Sequence, residues 1–136
     1  MRQTANYTIF NAQGSTATGI AVLCEDYRHV IFSLATDGGS DASFTIKFQG
    51  AIDEGATTDS APAFGSAQTV TNHWDYIEVI DLQSGTAIDG DTGVAVAGAD
   101  DYRLFEANIN GLKYVCARLT AYAEGEITVK VRLFND

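Results

Sequence analysis

The sequence predicts an all-β domain, a two-sheet antiparallel sandwich of the jelly-roll or immunoglobulin-like type. Three observations support this fold class. Short runs alternate between apolar and polar residues, clusters of Gly, Asp and Asn separate these runs, and neither an amphipathic helix nor a 20–50-residue repeat interrupts them. Because 136 residues suit one domain, we expect residues 1–136 to form a single sandwich.

Two runs show the alternation most clearly. In residues 43–49, Phe44, Ile46 and Phe48 point to one side of the predicted strand. In residues 126–134, aliphatic residues alternate with Thr, Lys and Arg, so a one-residue slip would bury two cations. The register of both strands should therefore be well defined.

The end of the chain is predicted to form a hairpin over residues 112–134, with its turn at Glu124 and Gly125. The pair Asn110-Gly111 favours a type I′ hairpin turn before it. Further strands are predicted at residues 7–10, 20–24, 29–35, 74–82, 93–97 and 102–109.

Residues 52–72 break the pattern, because they are polar, rich in small residues and poor in strand signals. A loop of this length in a compact domain is commonly functional. Its aromatic residues could fold back to cap one end of the sandwich, or the segment could be an arm that docks on a neighbouring subunit. For the second case we predict an assembly interface at Asp53, Thr57, Phe64 and Trp74.

The formal charge of −10 and the sequence pI near 4.3 argue against nucleic acid and anionic lipid as partners. No run approaches the ~20 apolar residues of a membrane span, and the N-terminus lacks the apolar core of a signal peptide. Cys24 and Cys116 are too few for a disulfide framework or a zinc site. They are expected to be buried thiols, or alternatively one bridge that closes a loop of about 90 residues.

No catalytic motif is present, so we expect no enzyme. His29 and His73 are far apart and lack a second ligand at a metal-binding spacing. Carboxylate pairs at Asp53/Glu54 and Asp100/Asp101 leave a convergent hydrolase as an alternative.

The segment Asp89-Gly90-Asp91-Thr92-Gly93 is the nearest match to an ion-binding loop. The preferred interpretation is a solvated turn, in which Asp and Gly satisfy backbone preferences. We therefore expect no cofactor and no metal, with Ca²⁺ at Asp89 and Asp91 as the alternative.

Aromatic residues could stack on sugar rings if several shared an exposed face. This would make the chain a carbohydrate-binding or adhesin module. The candidates are Trp74, Tyr76, Tyr102, Tyr114 and Tyr122.

The runs 44–50, 74–85 and 110–115 resemble small structural proteins of tailed bacteriophages. The resemblance covers residues 20–134 and lies in the overall pattern. It implies a β-sandwich of the kind that decorates and cements capsids: a virion protein made in the host cytoplasm, without catalysis. Its expected partners are further copies of itself, with a trimer as one option, and the major capsid protein or other virion proteins. A tail or head-fibre subunit is the neighbouring alternative.

Overall fold

The structure is a computed structural model that describes residues 3–37, 43–52, 73–97 and 101–135. All regular secondary structure in these ranges is β-strand, and no helix among them is long and apolar enough to cross a membrane. The strands are β1 (Thr4–Gln13), β2 (Ala17–Thr18), β3 (Val22–Leu23), β4 (His29–Asp37), β5 (Ser43–Ala51), β6 (Asp75–Tyr76), β7 (Val79–Asp81), β8 (Ala87–Ile88), β9 (Val94–Ala97), β10 (Tyr102–Asn108), β11 (Tyr114–Glu124) and β12 (Glu126–Phe134).

The strands form two antiparallel sheets, which confirms the predicted β-sandwich. The front sheet has the order β1-β12-β4-β10-β7-β8. The back sheet has the order β2-β11-β5-β6, with β3 also paired to β11 and β9 also paired to β5. Of the five longest strands, β5 and β12 were predicted from the alternation of apolar and polar residues, and β11 as part of the segment 112–134. β4 was predicted over residues 29–35, and β1 only over residues 7–10. The expectation of one domain over residues 1–136 stays a prediction.

The core lies between the sheets, where the predicted inward faces meet. Phe44, Ile46 and Phe48 of β5 are buried, and every second residue of β12 from Ile127 to Leu133 is buried as well. The closest pair of aromatic rings among the described residues joins the two sheets: the centroids of Phe32 and Phe48 lie 4.1 Å apart. The alternation of apolar and polar residues therefore turns the apolar face of each sheet towards a common core.

Both predicted hairpins were wrong. Glu124 ends β11 opposite Ser43 in the back sheet, whereas Glu126 begins β12 opposite Asp37 in the front sheet. Gly125, at φ 90°, carries the chain from one sheet to the other. The strands before and after it face the same core from opposite sides, so they do not pair.

The turn at Asn110-Gly111 also connects the two sheets, since β10 lies in the front sheet and β11 in the back sheet. The N–H of Leu112 donates to the carbonyl of Ile109 at 2.9 Å, and of the central pair only Gly111 has a positive φ, at 96°. A positive φ at the third turn position alone is the geometry of a type II turn, whereas type I′ requires it at both central positions.

The predicted strand over residues 74–82 is divided in the structure. Its first part, β6, pairs with β5 in the back sheet, and its second part, β7, pairs with β10 in the front sheet. The predicted strand over residues 20–24 is reduced to β3, and β8 had no counterpart in the prediction. These short elements lie where the chain crosses between layers, so period-2 alternation is too brief to mark them.

Candidate docking surface

The outer face of the front sheet carries a group of large apolar side chains on neighbouring strands, which we call the front apolar patch. Its members are Ile31, Ile80, Leu82, Tyr102 and Leu104. Tyr102 is 63% exposed, and Ile80, Leu82 and Leu104 are between 37% and 42% exposed. Strand alternation explains their position, because the residues between them point into the core. Glu106, which lies opposite both Ile31 and Ile80, interrupts the patch at one end. The apolar groups around Leu104 remain neighbours, and such groups on a solvent-facing sheet are typical of an interaction surface.

The register of the front sheet places cations beside this patch. Arg132 lies opposite Ile31, and Lys130 lies opposite Ser33, which in turn lies opposite Leu104. Directly opposed residues on antiparallel strands point to the same face, with Cβ atoms ~5 Å apart. The two cations therefore stand at the border of the apolar surface.

An open groove of about 600 Å³ follows this border across β1, β12, β4 and β10. We call it the front groove. Tyr102, Ser33 and Leu104 line it on the β4 and β10 side, Asn6 and Thr8 line it on the β1 side, and Lys130 and Arg132 supply its positive charge. The front groove thus combines apolar surface, hydroxyl groups and cations in one concave site.

The two cations of the groove are not neutralised by the described part of the chain. Arg103 forms an ion pair with Asp81, but neither Lys130 nor Arg132 has a carboxylate within 4.0 Å among the described residues. Both are exposed. The front groove therefore carries two cations in a chain of net charge −10, while the Glu106 carboxylate lies on the same face, opposite Ile31.

The predicted assembly residues lie elsewhere. Asp53, Thr57 and Phe64 fall outside the described residues, as does most of the predicted arm at 52–72. Trp74 is 2% exposed and packs against Tyr114, with the ring centroids 6.3 Å apart. Its burial agrees with the alternative in which the aromatic residue covers part of the sandwich. A role for Trp74 in assembly stays a prediction, without an exposed ring to support it.

The segment Asp89–Gly93 forms a turn that organises its own backbone. The Asp89 carboxylate accepts from the N–H groups of Asp91 and Thr92 at 2.8 and 3.3 Å. Among the described residues, no group of three or more His, Cys, Asp or Glu side chains could hold a metal ion. This geometry fits the solvated turn, and Ca²⁺ at Asp89 and Asp91 stays a prediction.

The glycines of this turn have a packing role. A Cβ atom on Gly90 would lie 2.7–2.9 Å from backbone atoms of Tyr76 and Ile77. We expect Gly90→Ala to lower the free energy of unfolding by about 1–3 kcal/mol, because backbone atoms must move to admit the methyl group. Urea denaturation measures the change. Gly14→Ala is the control, since its Cβ would meet only ordinary contacts at 3.7 Å and beyond; an equal loss in both variants would contradict the steric explanation.

The cysteines are free and buried, as the preferred interpretation predicted. Cys24 belongs to the main core between the sheets, whereas Cys116 packs with Ala51 and Trp74 in a smaller cluster. A disulfide between Cys24 and Cys116 is absent from this arrangement. Burial raises the pKa of the Cys116 thiol to about 12, and burial together with the Glu25 carboxylate raises that of Cys24 to about 12.

These thiols predict a loss of stability in alkali. In the unfolded chain they ionise above their ordinary pKa of 9.0, whereas in the folded chain they stay neutral up to about 12. Their contribution to stability is therefore complete below pH 9.0 and falls as the pH rises towards 12. Urea denaturation at a series of pH values should show this decline, and a Cys24→Ala/Cys116→Ala variant should show a shallower one. Equal slopes for both proteins would contradict the assignment.

The candidate aromatic residues for sugar binding do not share one exposed face. Tyr102 lies in the front groove, whereas Tyr122 stands on β11 beside Phe44 and Trp74 is buried. Tyr76 and Tyr114 are half-buried on the back sheet, where Tyr76 accepts a hydrogen bond from Arg118 at 2.8 Å. Tyr7, which also borders the front groove, lies opposite the buried Val131 and directs its side chain to the core side of the sheet.

The residues considered for catalysis are also separate or outside the described ranges. His29 stacks on Phe134 at 5.2 Å and lies 3.8 Å from Glu106. Asp101 caps β4 through the Thr36 hydroxyl, which accepts from its N–H at 2.8 Å. Asp53, Glu54 and Asp100 are not described. The absence of enzyme activity stays a prediction.

Comparison with known proteins finds similarity in structure alone. No protein-family model matches the sequence, and no curated protein matches it. The fold is similar to that of the SPBc2 prophage-derived protein YomS, with a TM-score of 0.66 and 16% identity over 99% of this chain and 96% of YomS. It is also similar to part of the PBSX exported protein XepA, with a TM-score of 0.68 and 13% identity. That match covers 98% of this chain, which spans 38% of the length of XepA.

Proposed function

We propose that this chain is a virion structural protein of a tailed bacteriophage, and specifically a capsid decoration or cement subunit without catalytic activity. The observation that carries the proposal is the similarity of nearly the whole chain to nearly the whole of a prophage-derived protein. The resemblance of residues 20–134 to phage structural proteins supports the same class from the sequence. The proposal places the protein in the virion, with the major capsid protein or another virion protein as its partner.

The front surface supports a docking role. The front apolar patch offers area for burial, and Lys130 and Arg132 offer charged contacts to an acidic strip on a partner. Apolar contact supplies most of the affinity in such interfaces, whereas rim charges set orientation and association rate. We therefore assign the capsid-facing side of the subunit to the front groove and the front apolar patch.

The order of the long strands supports the jelly-roll form of the sandwich. The front sheet contains β1-β12-β4-β10, and the back sheet contains β11-β5 with β2 and β3 on one side and β6 and β9 on the other. We infer from this order a double Greek key, in which the first strand pairs with the last and the chain passes repeatedly between sheets.

Binding to particles tests the docking role. Purified protein is mixed with particles of the encoding phage that lack it, and the bound fraction is measured by sedimentation. We expect the unaltered chain to bind and Leu104→Asp to lose at least about tenfold in affinity, because a carboxylate is then buried in an apolar contact. Reversing Lys130 and Arg132 to Glu should also weaken binding, and Lys113→Glu, directly before β11 of the back sheet, is the control.

A decoration role also predicts that the protein raises the heat resistance of the particle, which is measured separately from binding. Particles that lack the protein should release their DNA at a lower temperature than complete particles, and added protein should restore the difference. Equal heat resistance together with no binding would overturn the proposal. Binding at the tail or at a fibre, seen by labelling the protein on particles, would favour the neighbouring alternative of a tail or head-fibre subunit.

A carbohydrate-binding module is the second candidate, and one observation favours it. Tyr102 lines the front groove together with the hydroxyl groups of Thr8 and Ser33. An aromatic ring and hydroxyl groups in one cleft suit a sugar. A glycan array would show saturable binding that Tyr102→Ala abolishes, and an array without signal would remove this candidate.

A further inference from the structure

The outer edge of β1 is open. β1 is the first strand of the front sheet, and it pairs with β12 on one side while no described strand pairs with the other. Its ten residues, Thr4–Gln13, include no charged residue and no proline. Natural sheet edges are usually protected by Lys, Pro or a covering segment, because an open edge can accept another strand. An uncharged edge is also where two copies of an acidic chain repel each other least.

The regular part of this edge is Thr4–Thr8, since register shifts follow between Thr8 and Phe10 and between Phe10 and Gln13. The N–H of Asn135 donates to the carbonyl of Gln3 at 3.2 Å, so Gln3 directs its backbone groups towards the end of β12. Backbone direction alternates along an antiparallel strand. Ala5 and Tyr7 therefore bond to β12, whereas Thr4, Asn6 and Thr8 present their N–H and carbonyl groups to the open edge.

The side chains of Thr4–Thr8 in one copy of the chain are complementary to those of the same segment in a second, antiparallel copy. Around a two-fold axis at Asn6, Thr4 of one copy lies opposite Thr8 of the other, and Asn6 lies opposite its own equivalent. Ala5 lies opposite Tyr7, and both point to the core side of the sheet, because Tyr7 is opposite the buried Val131. Tyr7 is 44% exposed in the single chain. Pairing would cover its ring with Ala5 of the second copy, twice in each dimer.

We propose that β1 is a self-pairing edge, through which two copies of this chain join antiparallel about a two-fold axis at Asn6. The front sheets, each of six strands, become one continuous sheet. Main-chain hydrogen bonds at Thr4, Asn6 and Thr8 hold the copies together, as in other strand additions. The contact is the same on both subunits, so it closes at two copies. It involves the edge of the front sheet, whereas the proposed capsid contact involves its face.

Light scattering of the full chain over a concentration series tests this proposal. We expect a dimer that dissociates on dilution. Asn6→Pro removes only an outward N–H, and an edge strand tolerates proline. It should raise the dimer Kd about tenfold or more, because two hydrogen bonds are lost across the axis. Asn6→Ala is the matched control, since it keeps the N–H and should keep the dimer.

Tyr7→Ser provides an independent variant, in case proline unfolds the edge. It should weaken the dimer while thermal unfolding of the monomer stays cooperative. Leu104→Asp should keep the dimer, which separates failure of this proposal from failure of the docking proposal. A wild-type monomer at every concentration, a trimer, or an Asn6→Pro chain that dimerises like Asn6→Ala would each overturn the self-pairing edge.

Discussion

Replacing Phe32 with alanine is expected to lower the free energy of unfolding by about 3–5 kcal/mol. Phe32 is fully buried, and its ring contacts that of Phe48 at 4.1 Å across the two sheets. Phe48 in turn meets Phe105 at 6.4 Å, so the substitution opens a cavity in the middle of the sandwich. Most small domains have only 5–15 kcal/mol in total, so the variant should unfold at a much lower urea concentration.

The contribution of the Phe32–Phe48 ring contact to stability can be measured separately from that of apolar burial. A double-mutant cycle with Phe32→Leu and Phe48→Leu should give a coupling of about 0.5–1.5 kcal/mol beyond the loss of buried area. Tyr102→Ala is the control, because Tyr102 is 63% exposed and its removal should change stability by less than about 0.5 kcal/mol. A Phe32→Ala protein as stable as Tyr102→Ala would show that the core is arranged differently.

Replacing Arg103 with leucine is expected to cost about 2–4 kcal/mol. Its guanidinium group pairs with the carboxylate of Asp81, whose side chain is only 10% exposed. Loss of the cation leaves this carboxylate nearly buried and without a counter-charge, which destabilises the folded state. The loss of stability is smaller than for a fully buried ion pair, because the Arg103 side chain is 26% exposed. Urea denaturation at neutral pH measures the loss.

Asp81 itself supplies the control for that experiment. Adding Asp81→Asn to Arg103→Leu removes the unpaired charge and keeps an oxygen that can accept from the Gln83 N–H, a contact of 2.9 Å in the native chain. The double variant should therefore recover part of the stability. If it is as unstable as Arg103→Leu alone, the charge of Asp81 is not the cause of the loss.

Alternation located β5 and β12 because their two faces differ clearly. Phe44, Ile46 and Phe48 are apolar while their neighbours are polar, so only one orientation buries the right side. Pairing partners were less predictable. Gly125 and Gly111 are equally compatible with a hairpin and with a passage between sheets, since both arrangements leave the apolar faces inward. The choice depends on contacts with β4 and β5, which are distant in sequence.

The candidate surface was harder to predict than the fold. The unusual segment 52–72 and the aromatic residues were the predicted functional features, whereas the front apolar patch is formed by ordinary residues of strands. Ile31 lies between Val30 and Phe32, and Leu104 precedes Phe105, so these strands are apolar on both faces. That pattern could have signalled a second contact surface. A single strand does not reveal that the outward residues of β4, β10 and β7 are neighbours.

The pairing of β1 with β12 has a consequence for how the chain reaches its fold. The first strand finds its partner in the last, and β12 also separates β1 from β4 within the front sheet. During synthesis, β1 must therefore wait until residues 126–134 have left the ribosome. Such non-local closure makes folding slow and leaves strand edges exposed meanwhile. Deleting residues 126–134 would remove an interior strand and separate β1 from the rest of the front sheet.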